Sequence, residues 1–308
     1  MLSLAQEYWQ ALLAQAFAIG LGAGCLYVPS VAVLPQYFTT RMVTAMGLAV
    51  SRSSLGGIIY PIMFNRLLDQ VGFPWAVRII AFLALAILLV PLTTMKLRNR
   101  PPAKRSIFDK TAFTDVSFAA YMVFGFVGYL GLLIPFFYIP FTSEARNFAS
   151  QELSFYLLPM LNAASIFGRI IPAMIADQIG PLNMLVPTAT MTAVVAYSAV
   201  PVHNFAGMVC IAVFYGFWSG AYIALPPAIF VRLTPPDKRH LIGTRMGMGF
   251  TLMGVGGLIG SPVAGAIAGP TNDFTGVYVW TGTTLAAAAL GFLGVRILRV
   301  GTAIWTVV

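Results

Sequence analysis

The sequence predicts an all-α membrane protein, a bundle of about nine transmembrane helices with no soluble domain. Three observations predict it. Hydrophobic residues make up 59% and charged residues only 9% of the 308, where soluble domains carry about 25% charged residues, and the mean hydropathy is +0.85. The apolar residues gather in stretches near the roughly 20 residues that cross a bilayer as a helix. The basic residues gather in one set of connecting loops, the bias that marks a cytoplasmic side.

The spans fall at about 11–35, 43–64, 75–95, 116–139, 152–175, 182–202, 206–231, 243–268 and 277–298. Turn residues separate them, such as Gly72-Phe73-Pro74, Gly180-Pro181 and Pro235-Pro236. The longest polar stretch, Lys96 to Asp115, holds Lys96, Arg98, Arg100, Lys104, Arg105 and Lys110 against Asp109 and Asp115. It reads as a basic linker (96–115) between a partial N-terminal bundle of three spans (1–95) and a six-span bundle (116–308). With that linker in the cytoplasm, the same side receives Arg41, Arg232, Lys238, Arg239, Arg245, Arg296 and Arg299, while the other keeps Arg66, Arg78 and Arg146. The C-terminus is then cytoplasmic and, after nine spans, the N-terminus lies outside. The opening MLSLAQEYWQ has no basic n-region and no cleavage-type site, so it reads as no signal peptide.

Several function classes drop out. A net charge of +9 is the sign nucleic acid attracts, but these cations flank membrane spans, which excludes a nucleic-acid partner. Cys25 and Cys210 lie in apolar runs and read as packing residues. His203 and His240 stand far apart, so no metal site is expected. Gly247-Met248-Gly249 and Gly254-Val255-Gly256-Gly257 sit in an apolar run with no strand before them, which fails the context of a dinucleotide fingerprint. No P-loop, nucleophile triad or carboxylate pair stands out, so neither an enzyme nor a cofactor is expected.

The most informative stretch is Tyr37 to Gly57, YFTTRMVTAMGLAVSRSSLGG. A polar turn around Arg41 feeds a helix with small residues at Ala45, Gly47, Ala49, Ser51, Ser53, Gly56 and Gly57. Such residues let membrane helices approach closely. Tyr37, Phe38, Arg41, Ala45, Gly47, Ala49, Ser53 and Gly56 stand in register with Y-F-x-K-R-R-x-L-A-x-G-x-A-x-A-G-S-x-x-G. Thr40, Met42, Thr44, Ser51 and Arg52 depart from it. The stretch therefore resembles the fifth-span signature of the monocarboxylate-porter-like branch of the major facilitator superfamily. GLGAGCLYVPSVAVLPQYF before it resembles the fungal type.

An internal repeat fits that resemblance. Sliding the chain by 200 residues matches Met46 to Met246, Gly47 to Gly247, Gly56 to Gly256, Gly57 to Gly257 and Ile59 to Ile259, and a shift of 196 matches Gly20 to Gly216 and Gly24 to Gly220. The first three spans thus correspond to the last three. Facilitators are built from two six-span halves, so the resemblance implies an N-terminal half without its three opening spans, either a truncated gene or a start placed too late.

Arg169 is the first candidate site residue, with Ser165 one turn and Asn162 two turns before it on the same helical face. An intramembrane arginine either faces a cavity and grips an anion with paired hydrogen bonds, or snorkels to the interface or pairs with Asp177. The resemblance favours the first, since animal relatives carry an arginine in this span, four residues after an aspartate that is Ser165 here. Arg52 replaces a family glycine about ten residues into its span. It either selects an anion from the central cavity or marks a copy in which that selection has relaxed. Gly168, Asp177 and Gly180 join Arg41, Gly47, Gly56 and Gly57 as gating or structural residues. Asp177-Gln178-Ile179-Gly180 resembles the D-x-x-G loop of facilitators, whose carboxylate caps or charge-pairs at a helix end and holds the gating helices. Among the aromatics, Tyr138 and Tyr222 read as interfacial belt residues, and Tyr121, Tyr129, Tyr215 and Trp218 as belt or cavity lining.

The resemblance implies a secondary transporter that moves a small organic solute, a monocarboxylate or a fungal secondary metabolite for export, by alternating access. Its partners are the lipid bilayer, a solute that is anionic if the arginines bind it, and a proton as candidate coupling ion. The expected location is a multi-pass position in the plasma membrane before an internal one. The competing expectation is a truncated, non-transporting remnant or accessory membrane protein.

Overall fold

A computed structural model describes residues 2–95, 106, 108–269 and 274–301. Most of the expected linker, Lys96 to Arg105, lies outside the described residues. Among those described, eight helices carry the fold and no strand occurs. They are α1 (Tyr8–Gln36), α2 (Met42–Thr94), α3 (Val116–Ala145), α4 (Gln151–Ile179), α5 (Pro181–Ser198), α6 (Phe205–Leu233), α7 (Pro236–Ala268) and α8 (Phe274–Val300). By length and composition, seven of the described helices, all but α5, suit a membrane crossing.

The expected count was nine, and two places make the difference. The spans at 43–64 and 75–95 form one helical run, α2, of 53 residues. At 1.5 Å per residue it would reach about 80 Å, far beyond the ~30 Å hydrocarbon layer. Gly72 breaks it, with φ 71° and ψ 168°, values open to glycine because it lacks a Cβ. The expected Gly72-Phe73-Pro74 loop is therefore a kink, and each arm exceeds roughly 20 residues. The other place is α5, whose 18 residues include Asn183 and three threonines and are less apolar than the rest.

Local chemistry sets the helix ends. Gly180, at φ 99°, closes α4 and Pro181 opens α5, the usual asymmetry of glycine after a helix and proline at its start. Asp115 accepts from the amides of Ser117 and Phe118 at 3.1 and 3.3 Å to cap α3. Asn204 caps α6 through Gly207 at 2.7 Å. Such caps satisfy first-turn donors that have no partner within the helix.

In the six-helix unit α3–α8, α6 lies on α4, α8 lies between α3 and α5, and α7 covers α3. The first arm of α2 packs on the other face of α4. α1 touches the rest lightly, and Val31 is its one buried residue among those described. One end of the bundle gathers the cations: Arg296 Nε donates to Asn183 Oδ1 at 2.9 Å, Arg299 Nη2 donates to the Leu233 carbonyl at 3.0 Å, and Arg299 pairs with Asp115 at 3.6 Å. At the opposite end Arg78 donates to Ser3 and lies over the Trp75 ring, 5.1 Å from its centroid. Cys25 and Cys210, expected to pack inside, are both free and exposed. An apolar run does not say which of its faces is turned inward.

Candidate functional site

The densest polar construction inside the fold is the antiparallel seam between the first arm of α2 and α4. It repeats every three or four residues, the spacing that keeps one helical face in contact. Beginning at the basic end, Asp177 meets Val43 and Thr44, Gly47 meets Arg169 and Ala173, Val50 and Ser53 meet Arg169, Ser54 meets Ser165, and Gly57 meets Asn162. Beyond Ser54 no residue of α2 is buried until Ala76, so the buried part of the seam lies in the first turns of α2.

Glycine makes the approach this close. A Cβ at Gly47 would collide with the Arg169 carbonyl and lie 2.7 Å from the Ala173 Cβ, and one at Gly57 would lie 2.6 Å from Asn162 Oδ1. Gly168 serves the opposite face of α4, where a Cβ would strike the Phe217 carbonyl of α6. Asp177 closes the seam at its end. Its Oδ1 accepts from the Val43 amide and its Oδ2 from the Thr44 amide, both at 2.9 Å, and the Thr44 hydroxyl donates to Oδ2 as well. The carboxylate thus caps a helix 133 residues away in the chain. Negative charge there also opposes the positive end of the helix dipole.

Arg169 is 5% exposed. Its Nη1 donates to the Val50 carbonyl at 2.8 Å and to Ser53 Oγ, and its Nε donates to Ser165 Oγ at 3.3 Å. Every one of these partners is neutral. Neither of the ion pairs found among the described residues includes Arg169. It neither pairs with Asp177, which is engaged at the start of α2, nor snorkels. A guanidinium stays protonated in proteins, so Arg169 carries a buried positive charge with no anion in direct contact among the described residues. Tyr27 of α1 and Tyr129 of α3 lie within its field.

The linker makes a second polar cluster on α7. Arg245, 1% exposed, donates from Nε to Asp109 Oδ2 at 2.8 Å and lies over the Phe118 ring. Thr111 donates its hydroxyl to Asp109 Oδ1 at 2.6 Å and accepts from Lys238 Nζ at 2.8 Å. Burial pushes the Asp109 carboxyl up, but hydrogen bonds from Thr111 and Arg245 outweigh it and hold the group below its ordinary value.

Comparisons with known proteins place this architecture. The family model described as Major Facilitator Superfamily matches residues 1–241. The chain belongs to the Major Facilitator Superfamily. It is similar to the MFS-type transporter dbaD of Emericella nidulans, at 46% identity over 95% of this chain and 66% of the relative. It is also similar to the aspyridones efflux protein apdF of the same species, at 34% identity over 97% and 61%. The fujikurins efflux protein of Gibberella fujikuroi is 33% identical over 97% and 64%. This facilitator chain therefore spans about two thirds of the length of the relatives it matches.

The structure brings Arg169, Asn162, Gly47, Gly57 and Asp177 together along one seam, places Gly180 just past it as the residue that closes α4, and separates the other candidates from it. Arg52 is exposed, one position off the packed face, rather than turned into an enclosed cavity. Gly56 meets only Tyr60 of its own helix. Tyr121 and Tyr215 are fully buried: Tyr121 packs against Phe230 and Phe292, and Tyr215 donates to the Leu132 carbonyl at 2.9 Å. They form core rather than cavity wall. Tyr222, expected in an interfacial belt, is 1% exposed beside Tyr129 and Phe292. Tyr129 and Trp218 are half-buried, Trp218 edge-on to Phe217. Arg41 precedes the first turn of α2. Sequence reasoning missed Tyr27, Val50, Ser54 and the Asp109–Arg245 pair. The serines at 51 and 54, spaced with Gly47 on one helical face, were the signal for the seam.

Proposed function

We propose that this chain acts in a secondary carrier that moves a small organic solute across a membrane by alternating access, with the α2–α4 seam as a contact that closes and opens. The observation that carries the reading is Arg169, buried at the seam with neutral partners only. A solute carboxylate offers that guanidinium a charge-assisted, two-point grip, which a carbonyl and two hydroxyls do not match. Binding an anion would compete with Val50 and Ser53 for the same donors and so loosen the seam. Asp177, as the cap of α2, acts as the gating residue that restores it. Arg52 stands outside the seam as a second attraction for anions.

Export of an organic metabolite is the direction we favour, because relatives are named as efflux proteins for aspyridones and fujikurins. The signature at Tyr37–Gly56 supports the monocarboxylate-porter-like branch, the cation-rich end supports a cytoplasmic C-terminus, and export is the reading that goes with a plasma-membrane position. If a proton is coupled, its carrier is not beside Arg169, where Ser165 stands in place of a carboxylate. The test is uptake of radiolabelled benzoate and lactate into vesicles holding the purified chain. Saturable flux, reduced at least about tenfold in a folded Arg169→Gln variant, is expected. Flux no higher than in protein-free vesicles, or unchanged in the variant, overturns the reading.

A further inference from the structure

Polar groups from four helices gather around Tyr27, and the seam leaves their donors free. Arg169 gives Nη1 and Nε to Val50, Ser53 and Ser165, but its Nη2 has no partner among the described residues and keeps open surface. Val50 and Ser53 stand two positions before and one after Arg52, so the grip of Arg169 on them brings the Arg52 backbone beside its guanidinium. Arg52 is exposed and belongs to neither of the ion pairs found among the described residues. Tyr27 of α1 lies within the field of both Arg169 and Arg52, and Tyr129 of α3 within that of Tyr27 and Arg169. Neither phenol hydroxyl has a partner among the described residues, and neither is sealed from solvent. Phe250 of α7 meets the Tyr27 ring edge-on at 5.5 Å, so the apolar side of the cluster is aromatic.

The cluster thus combines two guanidinium groups and two hydroxyls with no carboxylate in contact. Both guanidinium groups stay charged, and a cation within a span is costly until it is answered. One carboxylate on the solute answers one of them and leaves the other bare. Two acidic groups answer both, each through charge-assisted hydrogen bonds, and the phenols can donate to the same oxygens. We infer that the solute is an organic diacid, one ionised group held by Arg169 and the other by Arg52, with Tyr27 between them. The inference rests on the transport reading above and narrows its substrate class. Arg52 is then a specificity residue: it sets the preference for a second negative charge.

The test is competition against uptake of radiolabelled benzoate, at neutral pH, into vesicles holding the purified chain. Phthalate, isophthalate and terephthalate serve as diacids of increasing separation, and monomethyl terephthalate as the control with one charge removed. At least one diacid should half-inhibit at a concentration at least about tenfold below that of unlabelled benzoate, the yield of one added charge-assisted hydrogen bond. The monoester should behave like benzoate. Arg52→Gln should return the preferred diacid to the benzoate value and Arg52→Lys should keep most of the preference, while Tyr27→Phe should reduce it about threefold. Each preference is a ratio between two ligands on one preparation, so a smaller folded fraction does not move it. The wild-type comparison stands even where a variant does not fold. Diacids no better than benzoate, a monoester equal to its diacid, or a preference that survives Arg52→Gln overturns the inference and leaves the transport reading in place. Absence of saturable benzoate uptake overturns both.

Discussion

Helices α2 and α7 start at the same end of the bundle, and a carboxylate stands at each start, yet the two are held by different chemistry. Asp177 gives both oxygens to α2 itself, two backbone amides and a hydroxyl. Asp109 gives one oxygen to Thr111 of its own linker and the other to the Arg245 side chain of α7. The first arrangement would survive in weaker form with a neutral acceptor, because a cap needs a lone pair more than a charge. The second needs the charge, because Arg245 is buried and has no other anion near it among the described residues. The clasp on α2 therefore joins its first turn to the end of α4, while the clasp on α7 joins that helix to the linker.

The comparison breaks hardest at Arg245. Arg245→Ala leaves the Asp109 carboxylate buried and unpaired, and losing one partner of a buried pair costs about 3–5 kcal/mol. Thermal unfolding in nanodiscs should register it, and an unchanged midpoint would mean that the pair is not buried in the membrane-embedded protein. Next come the counterpart glycines. Gly47→Leu should cost about 1–3 kcal/mol by overpacking the α2–α4 seam, whereas Gly247→Leu should leave the same midpoint where it was. Equal losses would erase the difference between the two faces.

Asp177→Ala should cost about 0.5–2 kcal/mol, the range of a lost cap, and hydrogen exchange should speed up at Val43 and Thr44 without doing so at the start of α7. The smallest effect is that of pH. The folded Asp109 carboxyl lies below its ordinary value, so the folded state binds that proton less readily than the unfolded state. Its contribution is complete above the unfolded value of about 3.9 and is lost as pH falls through the folded one. A pH titration of stability should lose this dependence in Asp109→Asn, while Asp177→Asn retains it.

Much of this architecture was legible along the chain. Apolar stretches located the helices, Gly180-Pro181 located a true break, and Arg169 stood out because a cation inside a span is costly. The failures share one cause. At Gly72-Phe73-Pro74 the break between two helices was legible and only its form was not, since a single positive φ at Gly72 separates them without a loop. Tyr121, Tyr215 and Tyr222 carry hydroxyls that suit either an interface or a cavity, and only their neighbours on other helices put them in the core. Arg52 and Arg169 look alike in sequence, each a lone cation among apolar residues. One is exposed, and the other is buried against a carbonyl 119 residues away.

The sequence by itself determined the membrane class, the cation-rich end and the glycines at which helices can touch, because length, hydropathy and the missing Cβ are local properties. Only the tertiary structure decided which face of each helix is spent on a neighbour. A helix that is apolar all round carries no stripe to say where its contact lies. That choice is made by the shape and polar groups of a distant partner: by Arg169 and Asp177 for α2, and by α3 and Asp109 for α7.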